Sequence, residues 1–188
     1  MPVTITRTAG AVTAEFTAPK LPRRHAPTPP REQIAAALGI DADRIGPHDP
    51  GVWEGGPAFV YVPLTDLATL AAARPQDPAW SELMRAADVD SAYLYTGDGD
   101  GIRVRMFSPG AGIPEDPATG SAAAILAAQL QANGALSGKD GVFVLTQGVE
   151  MGRPAQLKMT VDQSGGTIRA IRVAGSAVKI AQGHIRIP

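Results

Sequence analysis

Around residue 116 the chain concentrates groups able to hold a carboxylate and move a proton. Asp116-Pro117-Ala118-Thr119-Gly120-Ser121 runs directly into residues 121–130, SAAAILAAQL. This stretch is apolar on nearly every side, and a helix with that pattern is buried on all faces unless it lies in a membrane. From about residue 119 to residue 133 it would be roughly 22 Å long at 1.5 Å per residue, too short to span a bilayer. Two readings of the junction stand side by side. In one, Asp116 is the N-cap and Pro117 the favoured first helical residue, with no function beyond starting the helix. In the other, free amides of Thr119, Gly120 and Ser121 on a buried helix N-terminus form an anion site suited to a substrate carboxylate. Gly120 leaves room for close approach, and Asp116 sits beside the neighbouring carbon, placed for proton exchange.

Other candidates carry less chemistry. Residues 147–153, Gln-Gly-Val-Glu-Met-Gly-Arg, read as a turn between strands with Arg153 at the surface, or as a loop at the rim of a site. Asp98-Gly99-Asp100-Gly101 resembles the start of a calcium loop but lacks the glutamate at the twelfth position and the flanking helices, so it reads as a tight turn. His25, His48 and His184 have no second ligand or base at a motif spacing and are expected to be structural or exposed. Glu15, Glu32, Glu54, Glu82 and Glu150 are expected to be solvated surface residues. The chain has no cysteine, which removes disulfides, thiolate nucleophiles, zinc-thiolate sites and iron–sulfur clusters. Catalysis therefore falls to oxygen and nitrogen groups.

Composition narrows the partners. The 188 residues carry 17 Lys and Arg against 18 Asp and Glu, a formal net charge of -1, with no basic stripe for nucleic acid and no basic amphipathic face for a membrane. The N-terminus has no basic-then-apolar leader, and no apolar run reaches the ~20 residues needed to cross a bilayer, so a soluble, cytoplasmic protein is expected. With 44% hydrophobic and 19% charged residues, there is apolar material for one ordinary core and a small second one.

The elements that must hold the site follow from periodicity. Val3, Ile5, Val12, Ala14 and Phe16 alternate around an Ala9-Gly10 turn as a hairpin. Residues 21–30, LPRRHAPTPP, carry too many prolines for ladder bonds and read as a connector between two parts. A helix is expected over 30–38, capped by Thr28 and stopped by Gly39, another from Thr65 or Asp66 through 73, and a third over 78–87. Strands are expected over 58–62, 91–96, 102–107, 142–147, 156–161, 167–173, 177–180 and 185–187. Antiparallel strands with few helices between them argue for an α+β fold, a curved and mostly antiparallel sheet wrapped around the apolar helix.

The string RMFSPGAGIPEDPATGSAAAILAAQL, with Gln147-Gly148-Val149-Glu150-Met151-Gly152-Arg153-Pro154 downstream and Gly175-Ser176-Ala177-Val178 near the end, resembles the C-terminal lobe of the PhzF-like phenazine-biosynthesis family, which shares the diaminopimelate-epimerase fold. The resemblance extends from about residue 10 to residue 188 and joins three motifs in order. It implies a two-lobed isomerase without metal or organic cofactor, each lobe a curved sheet around a central helix, with the site between the two helix N-termini. The family's second-lobe aspartate and serine fall on Asp116 and Ser121. Gly120 would lend its amide to the substrate carboxylate, and the loop with Gly148 and Arg153 would line the cleft rim. The family's principal acid/base, a glutamate in a Ser-Glu-Thr type motif, and its Gly-His-Ala-Thr histidine have no counterpart in this sequence. Residues 1–20 therefore read as remnant strands of the first lobe, 21–30 as the connector and 31–188 as the C-terminal lobe.

Three functional readings follow. The chain is an isomerase half that transfers a proton at carbon of a small carboxylic acid, its cleft completed by a complementing first-lobe chain or by a second copy of itself in a homodimer. In the homodimer, two Asp116 residues would face one cleft. Alternatively it is a small-acid binding or interaction module that keeps the anion site without turnover. Thirdly, it is a fragment folding without a role, prone to aggregate through the open edge at residues 3–16.

Overall fold

Alternating apolar residues on neighbouring strands build one sheet with two buried faces. In the computed structural model, which describes residues 2–8, 11–136, 140–178 and 181–186, the strands are β1 (Val3–Thr8), β2 (Ala11–Thr17), β3 (Arg23–Ala26), β4 (Gly51–Glu54), β5 (Ala58–Pro63), β6 (Ala92–Asp98), β7 (Gly101–Ser108), β8 (Ile113–Asp116), β9 (Gly141–Gln147), β10 (Ala155–Ser164) and β11 (Thr167–Ser176). The helices are α1 (Arg31–Leu38), α2 (Leu67–Ala72), α3 (Ala79–Ala87) and α4 (Gly120–Ala132). The strands join in the order β1-β2-β11-β10-β9-β7-β6-β5-β4-β3, with β8 paired to β7 off this path. Pairing is antiparallel except for β5 with β6 and β7 with β9. This is a mixed, open sheet in an α+β arrangement, as the strand-rich sequence predicts. No helix among the described residues is long and apolar enough to cross a membrane.

Period-two alternation sorts the side chains. Phe59 and Tyr61 of β5, Tyr93 and Tyr95 of β6, Val104 and Met106 of β7, and Leu145 of β9 pack with α4, joined by Met159 of β10 and Val173 of β11. Val60, Val62, Ala92, Leu94 and Phe107 point the other way, against α1, α2 and α3 through Leu38, Leu70, Trp80 and Leu83. Along α4 every residue from Ala122 to Leu130 is buried. Gln129 is the polar side chain of that stretch, and buried amides must be hydrogen-bonded. It accepts from Trp53 Nε1 (2.7 Å) and donates to the Asp49 carbonyl (2.7 Å) and the Tyr95 hydroxyl (3.1 Å).

Local signals hold at most ends. Asp66 caps α2 by accepting from the Thr69 amide at 2.7 Å, and Gly39 ends α1 in the left-handed region at φ 66°. Thr28 does not cap α1. The flanking position is Pro30, without a side-chain cap, and the Thr28 hydroxyl donates to the Pro50 carbonyl at 3.3 Å. The proline-rich segment 21–30 does hold ladder bonds: β3 pairs with β4 between Pro22 and Pro27. An edge strand needs partners on one side only, so flanking prolines are tolerated. Ala9 and Gly10 lie outside the described residues. Of the two C-terminal strands expected, Ala177, Val178, Ile185 and Arg186 lie outside any strand. Lys179, Ile180 and Ile187 lie outside the described residues.

His25 pins β3 in place. Its Nδ1 bonds Glu54 on β4 and its Nε2 bonds the Asp88 carbonyl at 2.9 Å. Arg23 also pairs with Glu54. The Glu54 carboxylate, then the Asp88 carbonyl, raise the His25 imidazole above its ordinary range, and His25 in turn lowers Glu54. A raised histidine stabilises fully below its unfolded value of about 6.5, and the contribution is lost as pH climbs through the folded value. The lowered Glu54 loses its share only in acid, on the far side of that window. Urea midpoints should therefore fall as pH rises above about 6.5, and Glu54→Gln should flatten that decline. Equal slopes for both proteins would overturn the pairing.

Candidate active site

Asp116 reaches its place as the last residue of β8, not as a helix cap. α4 begins at Gly120, with Thr119 at the flanking position and no side-chain cap bond. The pre-proline preference for extended backbone suits a strand end and an N-cap alike, and the ladder with β7 together with the Gln147 bond to the Asp116 carbonyl decides for the strand. In the ladder Asp116 pairs with Met106, and partners share a face. Met106 belongs to the α4 cluster, so the Asp116 side chain lies on the α4 side of the sheet. One carboxylate oxygen, Oδ2, accepts from the Thr119 hydroxyl at 2.6 Å.

Gln147, at the end of β9, locks this junction. It is fully buried. Its Nε2 donates to the Asp116 carbonyl (2.7 Å) and to Thr119 Oγ1 (2.9 Å), while its Oε1 accepts from the Thr119 amide (3.1 Å) and the Tyr93 hydroxyl (3.3 Å). Both donors and both acceptor lone pairs of the amide are thereby used. Burial, and secondarily the Asp116 charge, hold the Tyr93 hydroxyl well above its ordinary pKa, so it serves as a neutral donor. The Tyr61 hydroxyl fixes the first turn of α4 by donating to the Ala122 carbonyl at 2.9 Å.

The anion site differs from expectation in one respect. The Thr119 amide is committed to Gln147, so of the three amides expected to bind an anion those of Gly120 and Ser121, both half-buried, stay without an intrahelical acceptor. The expected site residues do gather here in part. Gly148 is buried at φ 77°, and a Cβ there would lie 2.4 Å from the Arg153 carbonyl oxygen and 3.0 Å from that of Pro117. Only glycine lets the β9–β10 turn press against the Asp116–Pro117 backbone. Arg153 sits at the exposed end of that turn, its amide donating to the Gly148 carbonyl at 2.9 Å. Gly120 has the Phe16 ring on one side, 3.2 Å from a notional Cβ.

The remaining titratable groups fall elsewhere. His25 is the clasp described above, His48 Nδ1 bonds the Tyr95 hydroxyl at 3.2 Å, and His184 is exposed. Two glutamates depart from the solvated expectation. Glu54 is the His25 partner, and Glu150 is 11% exposed, with Oε1 3.5 Å from Arg103 Nη1. Its other oxygen is buried without a hydrogen-bond partner among the described residues. Tyr93 carries no short-range signal of a site, and Gln147 and Arg105 stand in the quoted strings without a role of their own, because their partners are distant in sequence. Together the junction offers a carboxylate with a fixed hydrogen-bond donor beside two helix amides, suited to moving a proton near a bound anion.

Residues 1–183 match the family model described as phenazine biosynthesis-like protein. The chain is 34% identical over 192 residues to an uncharacterised isomerase of Mesorhizobium japonicum, covering 97% of this chain and 64% of that protein. It is also 34% identical over 152 residues to trans-2,3-dihydro-3-hydroxyanthranilate isomerase of Pseudomonas aeruginosa, covering 81% of this chain and 52% of the relative. It thus spans between about half and two thirds of these relatives. Among solved structures it superposes on a PhzF-family phenazine biosynthesis protein of Bacillus anthracis with a TM-score of 0.83 at 19% identity, covering 99% of this chain and 65% of that one. That likeness concerns the fold. A predicted epimerase of Pseudomonas aeruginosa gives a TM-score of 0.73 at 28% identity, over 96% of this chain and 63% of the other.

Gln147→Ala removes the partners of the Thr119 amide and the Tyr93 hydroxyl, and each unsatisfied buried group costs roughly 1–3 kcal/mol. Urea denaturation should show a loss of about 3 kcal/mol or more. A loss under about 1 kcal/mol would mean that water or a rearrangement replaces the amide.

Proposed function

The chain belongs to the phenazine biosynthesis-like protein family, and from that premise we propose that it is half of an isomerase of the cofactor-independent type. In this reading it transfers a proton at carbon of a small carboxylic acid, without metal or organic cofactor, in the cytoplasm. The observation that carries the reading is Asp116, held by the Thr119 hydroxyl beside the first turn of α4. Asp116 takes or returns the proton, the amides of Gly120 and Ser121 receive the substrate carboxylate, and the Ser121 hydroxyl supports the reacting end. Gly148 and Arg153 form the rim. The names of the isomerase relatives support the reaction class.

Residues 1–20 stand in this proposal as remnant strands of a first lobe, 21–30 as the connector and 31–188 as a diaminopimelate-epimerase-like lobe whose curved sheet wraps α4. The glutamate and histidine motifs of the family's first lobe do not occur in these 188 residues, and in this proposal a second chain supplies the opposite wall and the second acid/base group. The β1–β2 hairpin favours a second copy as that chain. Its register places Val3, Ile5 and Val12 on the same face as Phe16, yet they are 52%, 57% and 43% exposed. β1 is also an open edge, able to pair with its own copy across a two-fold axis. The Asp116 residues of both copies would then face one cleft on that axis.

Light scattering behind size exclusion at micromolar concentration should give a dimer, and Ile5→Asp should return it to monomer. Deuterium incorporation from D2O into trans-2,3-dihydro-3-hydroxyanthranilate and a panel of small carboxylic acids should be detectable by NMR and lost in Asp116→Asn. A wild-type monomer would remove the self-completed cleft in favour of a separate first-lobe chain. Carboxylate binding without incorporation, unchanged in Asp116→Asn, would identify a small-acid binding module instead.

A further inference from the structure

β8 is four residues long and has two working faces. Asp116 shares the α4 side with its partner Met106, so alternation turns Glu115 to the opposite side, where Arg105 meets it. Arg105 Nε donates to Glu115 Oε1 at 2.8 Å and Nη2 to Oε2 at 2.9 Å, a bidentate fork. The third nitrogen, Nη1, donates to the carbonyls of Leu70 (2.8 Å), Ala71 (3.2 Å) and Ala73 (2.9 Å) at the C-terminal end of α2. The guanidinium also stacks 4.6 Å from the Phe107 ring centroid. Arg105 is 1% exposed and Glu115 15%. The Arg105–Glu115 pair thus lies on the opposite face from the Met106–Asp116 pair, reaching diagonally across the antiparallel ladder from the preceding residue of each strand.

We propose that Arg105 is a positioning residue for Asp116 that acts through Glu115, an inference resting on Asp116 being the proton-transfer group. Backbone pairing alone holds β8 loosely, because the β7–β8 ladder shifts register between Met106 and Ser108. The fork supplies the missing constraint: a planar guanidinium fixes a carboxylate in both distance and direction, which an ammonium does not. Arg105 is itself fixed by three carbonyls of α2, so its fork cannot swing. Asp116 is therefore gripped on two sides, from behind through Glu115 and in front by Gln147 on its own carbonyl. A carboxylate that must meet a substrate carbon needs such rigidity, since a misplacement of about 1 Å costs on the order of 100-fold in rate.

The test separates position from stability by removing both charges together. Arg105→Met combined with Glu115→Leu leaves no buried charge unpaired, and such apolar replacements of buried ion pairs commonly fold. Should it not fold, Arg105→Lys, which keeps the pair but loses the fork, gives the same comparison. Without any substrate, the 13C carboxyl resonance of Asp116, assigned with Asp116→Asn, and the amide resonances of Gly120 and Ser121 are followed through a pH titration. The folded variant should show shifted resonances and an altered Asp116 titration, with deuterium incorporation reduced about 100-fold. A folded variant with Asp116, Gly120 and Ser121 unmoved overturns the proposal. A wild type that incorporates no deuterium while these resonances still respond to the fork overturns the functional reading and leaves the geometric coupling standing.

Discussion

A helix without a polar face has to be enclosed, and the enclosure of α4 orders the rest of the molecule. From Ala122 to Leu130 each residue is buried, and five of those positions are alanine, so strands can approach closely on several sides. Aromatic rings from β5 and β6 fill one side, and aliphatics from β9, β10 and β11 fill others. The polar side chain within the buried stretch, Gln129, is spent on tying the far end of the helix to Trp53, Tyr95 and the Asp49 carbonyl. Enclosure stops at the N-terminus, where Gly120 and Ser121 are half-buried. That is the end at which unpaired amides and the positive end of the helix dipole lie.

Connectivity explains why this end meets Asp116. β7 and β9 are parallel neighbours, and parallel neighbours require a crossover, here carried by β8 and α4. The chain leaves the C-terminal end of β7, turns through β8 and starts α4 there, so the helix N-terminus, the last residue of β8 and the end of β9 converge. The second parallel pair, β5 with β6, is bridged by α2 and α3 on the opposite face. One half of the sheet is consequently covered on both sides, and β5 and β6 read as nearly continuous buried runs. β10 keeps one face to solvent and alternates instead, as half-buried strands do.

Sequence alone revealed what is local and what is strongly periodic. α4, the long strands from β5 to β11 apart from β8, the Asp66 cap and the Gly39 stop all announce themselves within a few residues. The short strands did not: β3 hides between prolines, β4 falls in a glycine-rich stretch, and β8 looks like the approach to a helix. Asp116-Pro117 illustrates the limit. Short-range rules assign that pair to a helix start, but hydrogen bonds from Gln147, 31 residues further on, and a ladder with β7 override them. Nothing local pairs Arg105 with Glu115, which meet only through the strand pairing of β7 with β8. Glu150 and Glu54 likewise lose solvent only through partners far along the chain.

The direction of hydrogen bonding at the site is set by groups that cannot change role. The Thr119 amide can only donate and the Asp116 carbonyl can only accept, so the Gln147 side chain has one orientation, with Oε1 toward the former and Nε2 toward the latter. Nε2 then donates its second hydrogen to Thr119 Oγ1. That leaves the threonine proton to point at Asp116 Oδ2. The carboxylate thus receives its hydrogen bond as the last link of a chain that begins at the main chain, and the threonine cannot reverse its proton without breaking a buried amide contact. With Oδ2 committed to the threonine, the proposed proton transfer falls to the other oxygen of Asp116, and the position of that oxygen follows from how firmly β8 is held.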